Sequence, residues 1–278
     1  MTIKIITDSS ANLTLKSSKA YEFTVVPLTI SVDQHHFVDN DNLDRGLFKA
    51  ALAHTQEPAK TSCPNIAEWL HAYEGGDTIY VVTISSALSG SYSAAQQAAT
   101  IYQEEHPQAQ VHVFDSLSAG PGLDLLIQKI AELIEDEADF ATVASQVTEY
   151  QAHTKLTFLL QSINNLATNG RVKPAIAKVV QFLKIGILGQ ADDQGEFAMT
   201  GKVRGQKKIA TSILKQMLAD GYQGGHVVID HVENEGATNK LADAIHDQFP
   251  ATDIQINLCR GLCSFYAEEA GLMIGYEI

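Results

Sequence analysis

The 278-residue sequence predicts an α/β fold in two parts. An N-terminal, Rossmann-like domain is expected around a parallel sheet, followed by a C-terminal α+β domain around a mixed or antiparallel sheet. Three observations carry this prediction. Short apolar runs alternate with segments of helical period through the first half, the pattern of repeated βαβ units. Three of those runs are dense in Val and Ile, as strands covered on both faces must be. After about residue 153 the pattern shifts to a hairpin, spaced strands and a closing apolar run. Residues 1–153 and 154–278 are therefore expected as the two domains.

In chain order, strands are expected at 3–6 ("IKII"), 23–30 ("FTVVPLTI"), 78–84 ("TIYVVTI") and 110–115 ("QVHVFD"). Helices are expected at 43–54, 66–73 and 92–104. "QHHF" (34–37) reads as an exposed turn. In 123–134, Leu123, Leu126, Ile127, Ile130, Leu133 and Ile134 fall on one helical face, and Phe140, Val143, Val147 and Tyr150 repeat the pattern in a second helix. The acidic "EDEAD" (135–139) connects the two. In the second half, helices over 172–184 and 205–219 flank 184–203, a hairpin with "DDQG" at its turn. Strands at 224–232 and 253–259 bracket a helix at 237–249, and "AGLMIGYEI" closes the chain as a strand.

Composition narrows the function. A net charge of −14 argues against general nucleic-acid binding, which needs a basic footprint, and against docking on anionic membranes. A small ligand or a protein partner fits better. No apolar run approaches the roughly 18 residues of a membrane span, so stable membrane insertion is not expected. "MTIKIITDSS" lacks the charge and apolar core of a signal peptide, and three cysteines make no disulfide framework. The cytoplasm is the expected compartment. Cys259 and Cys263 are too few for a structural zinc site and read as buried thiols. The ten histidines show no metalloprotease spacing. No metal or cofactor is expected.

The segment with the most chemistry is "IYVVTISSALSGSYSAAQ" (79–96), where a buried strand hands over to a helix through five serines and one glycine. In open α/β sheets, ligands sit outside the carboxyl ends of the strands. A helix beginning near Tyr92 would present free N–H groups and a positive dipole end there. Ser89, Gly90, Ser91 and Ser93 surround that end, and the hydroxyls add donors without charge, which suits an anion. The same residues are consistent with an N-cap and a serine turn. Three further loops share the position and chemistry: "TDSSANL" (7–13), "TSCPN" (61–65) and "FDSLSAGPG" (114–122). Four such loops in one half suggest a shared polar pocket.

These loops also carry a resemblance. "IITDSSANL", "TSCPN", "ISSALSGSY" and "VFDSLSAGPG", with "NGRV" (169–172) and "GKVRGQKK" (201–208) further on, resemble the DegV family of bacterial fatty-acid-binding proteins over the whole chain. The resemblance implies a two-domain carrier with the fatty-acid carboxylate at the serine turn and the tail in the second domain's apolar interior. It implies Thr61 and Ser93 as carboxylate ligands, with the neighbouring Ser62 and Ser89, the Gly90–Tyr92 backbone and Ser91 helping, and Arg171 at the edge of the site. Presentation of the bound acid to a fatty acid kinase is a further implication. Two departures stand out. The family's C-terminal H-x-G-P-G segment corresponds to "LCRGLCSFYAEEAG" (258–271), which has no histidine. "TSCPN" carries Cys63 and Asn65 where the family has glutamine and serine.

Physical bookkeeping agrees with a lipid ligand. About 15 buried methylenes gain roughly 12 kcal/mol gross at ~0.8 kcal/mol each, much of it offset by ordering and association entropy. The carboxylate then needs several donors. The segments 156–167, 175–188 and 272–276 are apolar enough to line a tail tunnel, and are equally consistent with ordinary core. The alternative function is a phosphotransfer-type enzyme subunit acting on a small hydroxylated substrate. Against it, the sequence has no G-x-x-x-x-G-K-[ST] loop and no evident carboxylate set for magnesium. A non-catalytic carrier is the expectation.

Overall fold

The computed structural model describes residues 1–13, 15–177 and 185–278. Four strands form a parallel sheet in the order β2 (Glu22–Val26), β1 (Ile3–Asp8), β6 (Thr78–Thr83), β7 (Gln110–Asp115). Both faces are covered, and the strands show it residue by residue. Ile5, Tyr80 and Val82 pack under α4 (Pro121–Glu135) and α5 (Phe140–Ala152). Ile6, Ile79 and Val81 pack on the other face, under α2 (Ile66–Tyr73) and α3 (Ser91–Glu105). Successive side chains point to opposite faces, so an unbroken apolar run is what such a strand requires.

The expected strand over 23–30 is two strands in two sheets. Pro27 has no N–H to offer a ladder, and the chain turns there. β3 (Thr29–Val32) leaves the parallel sheet and pairs antiparallel with β4 (His35–Val38) and β5 (Lys60–Ser62). The reading of 34–37 as a turn is corrected as well: Asp33 and Gln34 are the turn, with Asp33 at φ 50°, and His35, His36 and Phe37 belong to β4. α1 (Arg45–His54) follows, capped by Asp44 Oδ1, which accepts from Leu47 N at 2.9 Å.

A six-stranded mixed sheet occupies the second half. Its order is β10 (Phe197–Arg204), β9 (Ile185–Ala191), β8 (Thr154–Leu160), β13 (Leu272–Glu277), β11 (Val227–His231), β12 (Ile254–Leu258). Only β11 and β12 run parallel. One face is covered by α8 (Ile209–Ala219) and α9 (Glu235–Gln248) through Ile213, Met217, Leu241 and Ile245. α4 packs on the other face, against β8, β11 and β13. It lies between the two large sheets, and eleven of its fifteen residues are buried.

The hairpin expected over 184–203 is β9 and β10, with Gly195 at its tip. Of the helix expected over 172–184, α7 (Pro174–Ala177) is seen, and 178–184 lies outside the described residues. α6 (Asn164–Thr168), a 3₁₀ turn at Gln206–Lys208 and α10 (Gly261–Ala267) complete the elements among the described residues. No helix among the described residues is long and apolar enough to cross a membrane.

Candidate functional site

A cavity of about 280 Å³ lies between the carboxyl edge of the parallel sheet and the face of the six-stranded sheet opposite α8 and α9. The second half supplies its apolar floor: Leu156, Phe158 and Leu160 from β8, Met273 from β13, and Ala191 and Phe197 at the hairpin. Alternation along β8 sends these three residues to the cavity while Leu159 enters the core under α8 and α9. Polar groups enter from Thr61 and Ser62 in β5, Ser89 and Gly90 after β6, Ser118 after β7, and Arg171 after α6. Tyr266 joins them from α10, and Glu196 approaches from the hairpin, where Lys173 pairs with it at 2.7 Å.

The loops are held in place by long-range bonds. Thr61 sits opposite Ile30 in the small sheet, and its Oγ1 is 2.7 Å from Tyr266 Oη. α10, which carries Tyr266, is capped from a distance by Asp39 just beyond β4. Asp39 Oδ1 accepts from Gly261 N at 2.7 Å, and Oδ2 accepts from Leu262 N at 2.9 Å. Arg171 donates from Nε to Leu88 O (3.2 Å) and from Nη1 to Asn169 O (2.5 Å). The guanidinium therefore ties the loop after α6 to the serine turn and has no carboxylate partner among the described residues. Burial raises the Tyr266 phenol above its usual pKa, against the Thr61 hydrogen bond and the Arg171 charge, which lower it. It stays protonated and uncharged.

The residues singled out from the sequence divide into two groups. Thr61, Ser62, Ser89, Gly90 and Arg171 line the cavity. Ser91, Tyr92 and Ser93 do not. α3 begins at Ser91, and the first turn of a helix points successive side chains about 100° apart, so these three leave the turn in different directions. Ser91 is fully buried and donates to Asp8 Oδ2 at 2.5 Å. Tyr92 Oη accepts from Gln96 Nε2, and Ser93 is exposed, with Gln97 Nε2 donating to its hydroxyl at 3.3 Å. Gly90 precedes the helix with no side chain to cap it, and Cys63 Sγ lies 3.3 Å from where a Cβ would stand.

The loop 7–13 supplies no wall. Asp8 is instead the fully buried brace behind the serine turn, accepting from Ser10 N (3.1 Å), Ser10 Oγ, Ile84 N (3.0 Å) and Ser91 Oγ. Burial pushes its carboxyl up while these donors pull it down. Asn65 caps α2 through Ala67 N and Glu68 N rather than facing the cavity. Cys259 and Cys263 are buried free thiols, and Cys263 also lines the wall. His231 accepts from Asn234 N and closes a turn. No group of His, Cys, Asp or Glu among the described residues is arranged to hold a metal ion. Tyr266 was missed because nothing in the local sequence places a lone tyrosine on a short helix opposite Thr61, 205 residues away.

The DegV family, described as a family of uncharacterised proteins, matches residues 2–277. This chain belongs to the DegV family. A DegV domain-containing protein of Streptococcus gordonii is 41% identical over 280 residues, covering all of both chains. Among solved structures, the fatty acid kinase B3 protein of Streptococcus pneumoniae, loaded with linoleic acid, superposes with a TM-score of 0.97 at 41% identity, covering all of both chains. A DegV family protein of Eubacterium eligens, loaded with heptadecanoic acid, superposes at 0.94 with 36% identity over 99% of each chain. The DegV match thus spans both halves and every wall of the cavity.

Proposed function

We propose that this DegV protein binds a long-chain fatty acid without transforming it. The carboxylate rests at the polar end of the cavity, against Thr61, Ser62, Ser89, the Gly90 backbone and Arg171. The tail runs over the apolar floor of β8 and β13. The observation that carries this reading is Arg171, a half-buried guanidinium at the wall of an apolar cavity whose own partners are two carbonyls. A desolvated cation favours an anion, and the floor favours hydrocarbon. Relatives at 41% and 36% identity loaded with linoleic and heptadecanoic acid support the same ligand class.

Residues 1–153 and 154–278 are the proposed domains, the first supplying most of the head-group site and the second the tail site. Ser62 and Gly90 are exposed at the cavity's polar end, so a carboxylate there lies near solvent and within reach of a partner. A fatty acid kinase is the proposed partner, and the cytoplasm the proposed compartment. Native mass spectrometry of protein purified from a bacterial host is expected to show a bound fatty acid, lost on delipidation and regained with oleate or palmitate. A ligand-free protein that takes up neither overturns the reading.

A further inference from the structure

The polar end of the cavity contains a hydroxyl pair that the serine turn does not explain. Thr61 Oγ1 and Tyr266 Oη, 2.7 Å apart, come from β5 and α10 and meet beside Arg171. Each hydroxyl carries one proton and can accept twice. One proton is used between them, so the pair has one O–H left to donate outward. Which oxygen donates it is interchangeable: if Tyr266 donates to Thr61, the outward proton belongs to Thr61, and the reverse holds as well.

We propose that Tyr266 is a head-group ligand and that Thr61 and Tyr266 act as a single donor to the carboxylate, alongside the Arg171 charge. This inference rests on the fatty-acid reading and names a binding residue within it. The geometry supports it beyond the one distance. The Asp39 cap on α10 fixes the helix that carries Tyr266, and the Ile30–Thr61 pairing fixes the strand that carries Thr61. Both partners are thus set by the fold before any ligand arrives, as a preorganised donor should be. The phenol's protonated state keeps the donor present and neutral.

The test compares two ligands with the same tail, oleate and oleyl alcohol, in wild-type protein, Thr61→Val, Tyr266→Phe and the double variant. Each single variant should weaken oleate by about tenfold to a hundredfold, the range for a hydrogen bond to a charged group. The double variant should lose little more than the worse single one, because the pair acts as a unit. Oleyl alcohol should bind equally to all four. Unchanged oleate affinity in Tyr266→Phe overturns the assignment, as do additive losses or losses shared equally by the alcohol. Should Tyr266→Phe fail to fold, Tyr266→Leu takes its place under the same contrast, because Thr61→Val alone reports only on Thr61. Wild-type protein that binds neither ligand overturns the fatty-acid reading along with it.

Discussion

Ser91 and Ser93 stand two positions apart in a helix's first turn and serve different ends. Ser91 is one of four donors to a fully buried carboxylate, Asp8, which braces the turn from behind. Its removal leaves that carboxylate short of a partner, a loss of about 1–3 kcal/mol. Ser91→Ala is therefore expected to lower unfolding stability by about that much in a urea titration. Ser93→Ala, at an exposed position, should change stability by less than about 0.5 kcal/mol and leave fatty-acid affinity as it was. A loss of affinity in Ser93→Ala would show that α3 turns further toward the cavity than its hydrogen bonds indicate. At this scale, residue type was legible and direction was not. Hydroxyl-rich loops after strands pointed to a polar site, but only the helix start at Ser91 decides which hydroxyls face it.

The element that organises the molecule is α4. Its periodicity was plain in the sequence through Leu123, Leu126, Ile127 and Ile130, which pack on the parallel sheet. Its second buried face was not, because one helix of ordinary period gives no sign that two sheets will enclose it. β13 approaches α4 so closely that a Cβ on Gly275 would stand 2.7 Å from Pro121 O, a backbone atom that has little room to yield. Gly275→Ala is expected to destabilise the protein by about 1–3 kcal/mol through overpacking. Chemical denaturation measures this, and a neutral result would mean that the seam between the halves is looser than the contact implies. β8 and β5 escaped the sequence reading for different reasons. "TKLTFLL" follows directly from a helix and lacks clean alternation, and a three-residue strand such as β5 has no period to detect. Both border the cavity, so these two missed strands bear directly on the site.

Across the whole molecule, the two halves meet over buried acids that hydrophobic patterning does not reveal. Asp124 from α4 and Asp230 from β11 are both fully buried. Asn12 serves both: its backbone N–H donates to Asp124 Oδ1 at 3.1 Å and its amide to Asp230 Oδ2 at 2.6 Å. Asn257 Nδ2 donates to Asp230 Oδ1 at 2.9 Å, and the Arg260 N–H donates to Asn12 Oδ1 at 2.6 Å. Burial raises both carboxyls. Asp124 stands well above the usual range, with the Asp230 charge adding to the shift, and Asp230 rises from 3.8 to about 7 against the Asn12 and Asn257 hydrogen bonds. An acid whose folded pKa is raised binds its proton more tightly in the folded state. Its contribution is fully present below about pH 4 and is lost as pH climbs through about 7. Melting temperature is therefore expected to fall between about pH 4 and pH 7, and Asp230→Asn should flatten the fall by removing one titrating group. An Asp230→Asn profile parallel to the wild type would place the titration elsewhere.

By itself, the sequence determined the fold class, the faces of α4 and α5 that pack on the parallel sheet, and the presence of a hydroxyl-rich strand edge suited to an anion. Those properties are local: period, branching and turn chemistry act within a few residues of one another. Tertiary structure alone decided that Tyr266 meets Thr61, that Arg171 reaches back to Leu88, and that Ser91 turns inward to Asp8. Each of these pairs joins residues 83 or more positions apart, and such pairings arise only when whole elements pack together.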